Sequence, residues 1–202
     1  MTKTIILIPS RLAATRLPNK PLLKINGLSI INHVYQKAQS AKIGDVFVAT
    51  GDEEIFEEVT KKGGKCVLTK KEHQTGTDRI FEAYQKLELN NVDYIINLQG
   101  DEPMIDIEDI KNLNANAINK KSEITTLACK IKGKNVLNKS NIVKVITDEE
   151  LSKENISRAK TFSREVLSNY NANIYHHIGI YMYKVSALKK FVNLKQSKNE
   201  ID

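Results

Sequence analysis

The chain has 202 residues, of which 41% are hydrophobic and 27% are charged. This balance fits one folded domain with a buried core and excludes a disordered chain. The formal net charge is +7, but the lysines are scattered, and residues 184–198, where they are densest, lack the aromatic interleaving of a base-stacking surface. The charge therefore favours a solvated surface or small anionic substrates over a nucleic-acid partner.

The cysteines and the apolar runs of the sequence indicate the cellular compartment of the protein. Cys66 and Cys129 are far apart in the sequence and outside any C-x-x-C pair, so neither a disulfide framework nor a zinc site is predicted. The first apolar run, residues 5–8, is too short for a signal peptide, and no later run is long enough to cross a bilayer. We therefore expect a reduced, cytoplasmic protein with no membrane partner.

The first hundred residues alternate between predicted strands and predicted helices. Continuous β-branched or apolar runs predict strands, and apolar residues at helical spacing predict helices, the first of them capped by Ser29. The predicted strands are residues 4–8, 45–49, 65–68 and 94–98, and the predicted helices are residues 29–41, 52–62 and 78–89. This alternation predicts an α/β fold with a doubly wound, mostly parallel sheet, which binds its ligands outside the carboxyl ends of the strands.

After residue 108 the pattern is less regular. We predict a polar helix to about residue 121, loop and helix in the polar stretch 150–173, and a last helix over 186–202. Further strands are predicted at residues 125–131, 143–146 and 177–183. The whole chain, residues 1–202, is interpreted as a single domain that carries a smaller α+β lobe at approximately residues 133–183.

A basic loop follows the first predicted strand. Arg11, Arg16 and Lys20 lie in a stretch that ends at Pro21 and lacks the glycine patterns of the two common phosphate-binding loops. Arg can bind phosphate oxygens with two parallel hydrogen bonds, and Lys acts as a compact charge. The position after the first strand favours phosphate binding, although a solvated basic loop would have the same composition.

The segment Gln99-Gly-Asp-Glu-Pro103 follows the last strand of the first hundred residues. The Asp101 carboxylate is expected at the same edge of the sheet as the basic loop, and Mg²⁺ prefers one or two carboxylates together with phosphate oxygens and water. The sequence therefore predicts a magnesium site at Asp101. A simple turn is the alternative interpretation of this segment.

Two further segments carry polar residues. Residues 73–79, His-Gln-Thr-Gly-Thr-Asp-Arg, precede a predicted helix, where backbone N–H groups favour anions or polar base edges, although an ordinary capped helix start is equally consistent. His176 and His177 lie in or before a strand, a place more typical of core or edge histidines than of ligands. The sequence has no transition-metal spacing and no G-x-S-x-G hydrolase motif.

Together these segments resemble the 3-deoxy-manno-octulosonate cytidylyltransferase (CMP-Kdo synthetase) family. The resemblance extends over essentially all of the chain, and the segments that carry it are residues 8–22, 73–79, 97–103 and 177–181. It implies the fold of the nucleotide-diphospho-sugar transferases and a homodimer that uses the smaller lobe. It also implies magnesium-dependent transfer of CMP from CTP to 3-deoxy-D-manno-octulosonate (Kdo), which gives CMP-Kdo and pyrophosphate for lipopolysaccharide biosynthesis.

The resemblance also implies roles for individual residues. Those that would bind CTP are Arg11, Arg16, Lys20, Thr75, Gly76 and Arg79. Those that would hold the sugar acid are Gln99, Arg158, His177, Tyr181 and Glu200. Asp101 would ligate Mg²⁺ and would carry catalysis together with Arg11 and Lys20.

The sequence departs from the family pattern in two places, and other functions stay open. The segment 143–157 is shorter than the corresponding segment of the family. The family pattern also continues past residue 202 with a G-x-D-T-P-like segment, whose Asp is a second Mg²⁺ ligand, so we expect a truncated chain. The alternatives are a cytidylyltransferase for amino-Kdo or a sialic-acid relative, a transferase that uses a sugar 1-phosphate, and a non-catalytic nucleotide- or nucleic-acid-binding α/β protein. The glycine-poor basic loop favours the Kdo type.

Overall fold

The computed structural model describes residues 2–13, 17–131, 137, 139–152, 155–165 and 173–195. The chain divides into two compact units. The larger unit contains Met1–Thr125 and Ile180–Asp202, and the smaller unit contains Thr126–Gly179. The smaller unit differs in its bounds from the lobe predicted at 133–183, since it begins at Thr126 and ends at Gly179, within the long strand Asn173–Lys184.

The described elements follow one another in regular alternation over the first part of the chain. The strands are β1 (Thr4–Ser10), β2 (Lys24–Ile25), β3 (Leu28–Ser29), β4 (Val46–Thr50), β5 (Cys66–Leu68), β6 (Tyr94–Asn97), β7 (Ile124–Lys130), β8 (Lys144–Thr147), β9 (Ala159–Ser163) and β10 (Asn173–Lys184). The α-helices are α1 (Ile30–Ser40), α2 (Glu53–Lys61), α3 (Gly76–Lys86), α4 (Ile107–Asn119) and α5 (Val185–Phe191), and a 3₁₀ helix spans Lys20–Leu22.

The sheet of the larger unit has the strand order β5-β4-β1-β6-β10. Strand β1 pairs in parallel with β4 and β6, and β4 pairs in parallel with β5. The last four residues of β10, Tyr181–Lys184, run antiparallel to β6. The prediction of an α/β fold with a mostly parallel, mixed sheet is therefore confirmed.

The core of this unit explains why its first strand is a continuous apolar run. All four residues from Ile5 to Ile8 are fully buried, as expected of a strand that is covered on both faces. Ile5 and Leu7 belong to a cluster that also contains Ile80 of α3 and Leu188 of α5. Because side chains alternate along a strand, Ile6 and Ile8 point to the opposite face.

The smaller unit contains an antiparallel arrangement of strands. The first residues of β10, Asn173–His176, pair with β8, and β8 pairs with β9. Strand β9 lies in the stretch 150–173, for which loop and helix were expected, so that prediction is wrong there. The reason is that β9 is a mostly exposed strand, and an exposed strand lacks the apolar alternation that identifies strands in a sequence.

Two further differences concern short elements. Helix α5 ends at Phe191, so the predicted helix over 186–202 is wrong at residues 192–195, and residues 196–202 lie outside the described part of the chain. A hairpin of β2 and β3 was not predicted. Its turn is Asn26-Gly27, with φ of 50° and 80°, which is the strongest short hairpin signal a sequence offers.

Within the described ranges, every helix is too short or too polar to span a membrane.

Candidate active site

A cavity of about 590 Å³ lies in the larger unit at the carboxyl ends of β1 and β6. Three chain segments line it: the loop after β1, the start of α3, and the turn after β6. The lining residues are Pro9, Ser10, Arg11, Ala13, Leu17, Lys20, Pro21, His73, Gln74, Thr75, Gly76, Arg79, Gln99, Gly100 and Asp101. This is the edge of the sheet at which the sequence predicts ligand binding.

The basic loop contributes Arg11 and Lys20 to this cavity. Arg11 is exposed immediately after β1 ends. Lys20 begins the 3₁₀ helix, and the preceding Asn19 has a φ of 57°, a left-handed conformation that Asn tolerates well. The peptide N–H of Leu12 donates a hydrogen bond to Asp52 Oδ2 at 2.9 Å. Arg16 lies outside the described residues.

The turn after β6 places Asp101 opposite the basic loop. The Nζ of Lys20 and the Oδ2 of Asp101 are 2.7 Å apart, and the two side chains are 33% and 50% exposed. Gly100 allows the close approach of backbone that brings the two segments together, because a Cβ there would lie 2.9 Å from the carbonyl oxygen of Pro9. The predicted convergence of a basic loop and one carboxylate is therefore present in the fold.

The start of α3 forms another wall of the cavity. Thr75 is the N-cap of the helix, and its Oγ1 accepts a hydrogen bond from the N–H of Asp78 at 3.1 Å. A Cβ at Gly76 would lie 3.1 Å from Cγ of Pro9, so a side chain there would press on Pro9 where the helix meets the end of β1. The N-terminus of α3 thus faces the same cavity, where its backbone N–H groups favour anions.

Arg79 lines the cavity but is buried, and its described hydrogen bonds go to the loop before α3. Its Nη1 donates to Thr69 Oγ1 at 2.7 Å and to the carbonyl of Lys70 at 2.9 Å, and its Nη2 donates to the carbonyl of Lys71 at 3.2 Å. Burial lowers the pKa of Arg79. The guanidinium therefore fixes the loop that leads to the cavity.

Glu82, one helical turn after Arg79, holds the same loop and was not singled out by the sequence. Its carboxylate accepts hydrogen bonds from the N–H of Lys70 and from Nζ of Lys86, and it pairs with His73 Nε2. Burial alone would raise the pKa of Glu82, but the hydrogen bonds from Lys86, His73 and Lys70 outweigh it and lower the pKa to about 2. His73, which lines the cavity, is thereby held by an ionised carboxylate.

Two of the residues implied for the sugar acid belong to the larger unit. Gln99 lines the cavity, and its Nε2 donates to Oδ1 of the buried Asn97 at 3.2 Å. Tyr181 lies directly opposite Asn97 in the pairing of β10 with β6. Its ring stacks on Tyr183 with a centroid distance of 5.9 Å, and burial raises the pKa of its hydroxyl.

Two others belong to the smaller unit. Arg158 is exposed just before β9. The Nε2 of His177 lies 2.9 Å from Oγ1 of Thr126, and the Phe162 ring contacts the imidazole edge-on with a centroid distance of 5.0 Å. Burial, aided by the neighbouring His176, lowers the pKa of His177. Glu200, the last residue implied for the sugar acid, lies outside the described part of the chain.

This fold, with a basic loop and one carboxylate at the carboxyl edge of a mostly parallel sheet, is the arrangement of a nucleotidyltransferase. A model of the family described as "Cytidylyltransferase" matches residues 5–201. The chain belongs to the cytidylyltransferase family. Its classification as a nucleotidyltransferase enzyme is therefore confirmed.

Named relatives define the similarity more closely. A 3-deoxy-manno-octulosonate cytidylyltransferase from Rhodopseudomonas palustris (strain BisB18) is 43% identical over 197 residues, which cover 97% of this chain and 80% of the relative. The enzyme of the same name from Nitrobacter hamburgensis is 40% identical, with 97% of this chain and 76% of the relative covered. These relatives confirm the resemblance found in the sequence.

One solved structure supports the same relationship. It is CMP:2-keto-3-deoxy-manno-octonic acid synthetase complexed with CTP, and it superposes on this chain with a TM-score of 0.88 at 34% identity. The match covers 99% of this chain and 81% of the solved one.

Proposed function

We propose that this protein transfers CMP from CTP to Kdo, giving CMP-Kdo and pyrophosphate for lipopolysaccharide biosynthesis. The observation that carries the proposal is the cavity in which the basic loop with Lys20 meets Asp101. The loop supplies the cations that a triphosphate requires, and the carboxylate supplies a ligand for a hard metal ion. Identity of 40–43% to relatives named for this reaction supports the choice of substrates.

In this proposal the walls of the cavity bind CTP. Arg11 and Lys20 hold the phosphates, and Arg16 belongs to the same loop. Thr75 and Gly76 line the nucleotide pocket at the N-terminus of α3, whose backbone N–H groups and dipole favour anionic or polar groups. Arg79 contributes to the same wall.

The residues present fit Mg²⁺. Asp101 is half exposed at the cavity and its present partner is the Lys20 ammonium, so a carboxylate oxygen is accessible to a cation that also contacts phosphate oxygens. Mg²⁺ held there by Asp101 would neutralise charge on the phosphates. On nucleotide binding, we propose, Lys20 exchanges its contact with Asp101 for a phosphate oxygen.

The sugar acid is proposed to contact Gln99, Arg158, His177, Tyr181 and Glu200. Arg158 suits the carboxylate of Kdo, because a guanidinium can bind a carboxylate with two hydrogen bonds. His177 is expected to be neutral near pH 7, since its pKa is lowered. It therefore acts through a hydrogen bond rather than a charge.

The reaction joins the anomeric oxygen of Kdo to the α-phosphorus of CTP, and the proton of the anomeric hydroxyl is released to solvent. The bond from that phosphorus to the bridging oxygen of the β-phosphate breaks, and pyrophosphate leaves with the electron pair. Phosphoryl transfer of this kind depends on positioning and on charge stabilisation rather than on a covalent protein intermediate. Arg11 and Lys20 supply positive charge where negative charge develops on the leaving group.

Assembly and location are also proposals. A homodimer formed through the smaller unit follows the family resemblance, and β9 is last in the order of described strands, with Phe162 46% exposed. Light scattering after size-exclusion chromatography tests it, since a monomeric mass at micromolar concentration contradicts it. We propose a cytoplasmic location because CTP is a cytoplasmic metabolite, and cell fractionation tests this.

Turnover of a panel of acid sugars tests the function. The chain is incubated with CTP, Mg²⁺ and either Kdo, an amino-Kdo or a sialic acid, and pyrophosphate release and the mass of the nucleotide sugar are measured. We expect turnover with Kdo and its loss in Asp101→Asn. Turnover of another acid without turnover of Kdo contradicts the proposal. Salt-sensitive DNA or RNA binding without CTP binding would identify a nucleic-acid-binding protein instead.

A further inference from the structure

Asp52 occupies the N-cap position of α2 but does not cap it. An Asp at an N-cap usually accepts a hydrogen bond from an N–H of the first helical turn. In α2 no such side-chain bond is formed. The Oδ2 of Asp52 instead accepts the N–H of Leu12 at 2.9 Å, 40 residues away in the sequence. The carboxylate is therefore used by the basic loop rather than by its own helix.

The register of the sheet explains how these two residues meet. Strands β1 and β4 are parallel neighbours, and their last residues, Ser10 and Thr50, are paired. Leu12 and Asp52 each follow two positions later, so the two chains leave the sheet side by side. The N–H of Asp52 also donates to Oγ1 of Thr50 at 3.1 Å, which fixes the turn that presents the carboxylate.

The peptide groups of Leu12 join the two ends of the basic loop. The Leu12 N–H is held by Asp52, and the Leu12 carbonyl accepts the N–H of Asn19 at 3.3 Å. Arg11 directly precedes Leu12, and Lys20 directly follows Asn19. A single carboxylate thus anchors the point from which Arg11 and Lys20 extend into the cavity.

The negative charge of Asp52 also reaches Arg79. Burial lowers the pKa of Arg79, the positive charge of Arg11 adds to this lowering, and the negative charge of Asp52 opposes it. Asp52 therefore lies within electrostatic range of Arg79. Asp52 is absent from the lining of the cavity, so any effect it has on a bound nucleotide must pass through other residues.

We propose that Asp52 is a positioning residue for CTP, which acts by holding the Leu12 peptide and thereby the Arg11–Lys20 loop. This inference rests on the proposed function, since that function assigns the loop to the phosphates. Loss of the Asp52 to Leu12 bond would leave the loop in place only part of the time, so the affinity for CTP falls.

The test compares variants that separate the hydrogen bond from the charge. Asp52→Ala removes both, whereas Asp52→Asn keeps an oxygen that can accept the Leu12 N–H. The matched control is Asp106→Ala, because Asp106 is the N-cap of α4 and does form the cap bond, from the N–H of Glu108 at 2.9 Å. If Asp52→Ala does not fold, Asp52→Ser replaces it, since Ser is an equally good cap but has a shorter side chain.

Three measurements test the variants: calorimetry with CTP, steady-state kinetics, and hydrogen exchange at the Leu12 amide. For Asp52→Ala we expect Kd and KM for CTP to rise about tenfold, with kcat changed less than about threefold, because the loop contacts the phosphates before the transition state. The Leu12 amide exchanges faster in this variant. Asp52→Asn and Asp106→Ala bind CTP within about twofold of wild type.

The outcomes separate this inference from the function on which it rests. If wild type binds CTP and Asp52→Ala binds it equally well, the positioning role alone is overturned. Equal losses in Asp52→Ala and Asp52→Asn overturn it too, because the charge and not the bond would then matter. A wild-type chain that binds no CTP refutes the proposed function and the positioning role with it.

Discussion

Replacing Lys20 with Met should change metal binding and nucleotide binding in opposite directions. Lys20 Nζ lies 2.7 Å from Oδ2 of Asp101, so the ammonium competes with a metal ion for that carboxylate. Removing the ammonium therefore strengthens metal binding. The same substitution removes a cation from the phosphate-binding loop and weakens CTP binding.

The expected gain in metal affinity follows from the solvent exposure of the Lys20–Asp101 ion pair. At 2.7 Å, Coulomb attraction in bulk water amounts to about 1.5 kcal/mol. Both side chains are at least one-third exposed, and exposed ion pairs contribute roughly 0.2–1 kcal/mol once solvent and side-chain entropy are included. We therefore expect about 1 kcal/mol, which is about a fivefold decrease in the metal dissociation constant.

The second effect should be larger. A hydrogen bond to a charged group contributes roughly 1.5–3 kcal/mol, so CTP affinity without metal should fall about ten- to a hundredfold in Lys20→Met. Mn²⁺, which shares the preference of Mg²⁺ for oxygen ligands, reports metal binding by electron paramagnetic resonance, and calorimetry reports CTP binding.

Lys65→Met is the matched control for this experiment. Lys65 Nζ also lies 2.7 Å from a carboxylate oxygen, that of Asp45, on an exposed surface, and its loss changes the net charge by the same amount. This variant should leave the binding of Mn²⁺ and CTP unchanged. The reasoning is refuted if Lys20→Met binds Mn²⁺ no better than wild type, or if Lys65→Met gains as much.

Other predictions concern stability and reactivity. Lys144 is buried, and its ammonium donates hydrogen bonds to the carbonyls of Lys139, Ile142 and Arg164. Because Lys144→Met leaves these carbonyls without their donor, it should lower the free energy of unfolding, measured in urea, by about 3 kcal/mol. The pKa of Glu82 is depressed to about 2, so its stabilising contribution is present above about pH 4.5 and is lost as pH falls towards 2. Glu82→Gln should flatten the dependence of the unfolding free energy on pH in that window. Burial raises the pKa of Cys66 to about 12, so iodoacetamide at pH 8 should modify the exposed Cys129 first, as peptide mass spectrometry would show.

The sequence predicts best those helices and strands whose local pattern of apolar residues matches their burial in the structure. The run from Ile5 to Ile8 is apolar because both faces of β1 are covered, and α1 begins after Ser29 as expected. The edge strand β9 has no such signal, because three of its five residues are exposed. Its position is set by pairing with β8, and pairing between distant segments is invisible to a local pattern.

The residues of the candidate active site also divide into those with a local sequence pattern and those without one. Arg11, Lys20 and Asp101 are predictable, because each follows a recognisable buried strand and parallel strands end at one edge of the sheet. Glu82 and Asp52 are not, since each acts through a hydrogen bond to a residue on another segment. The one clue to Glu82 is its spacing of three from Arg79, which puts both on the same side of α3.

The pairing of Ser10 with Thr50 at the ends of β1 and β4 has a consequence for protein engineering. The basic loop is not a portable module, because the atom that anchors it is encoded 40 residues downstream. Grafting residues 11–20 onto another parallel sheet would transfer the cations without their anchor. A functional transplant must also carry the end of the adjacent strand, with no residue inserted between Thr50 and Asp52.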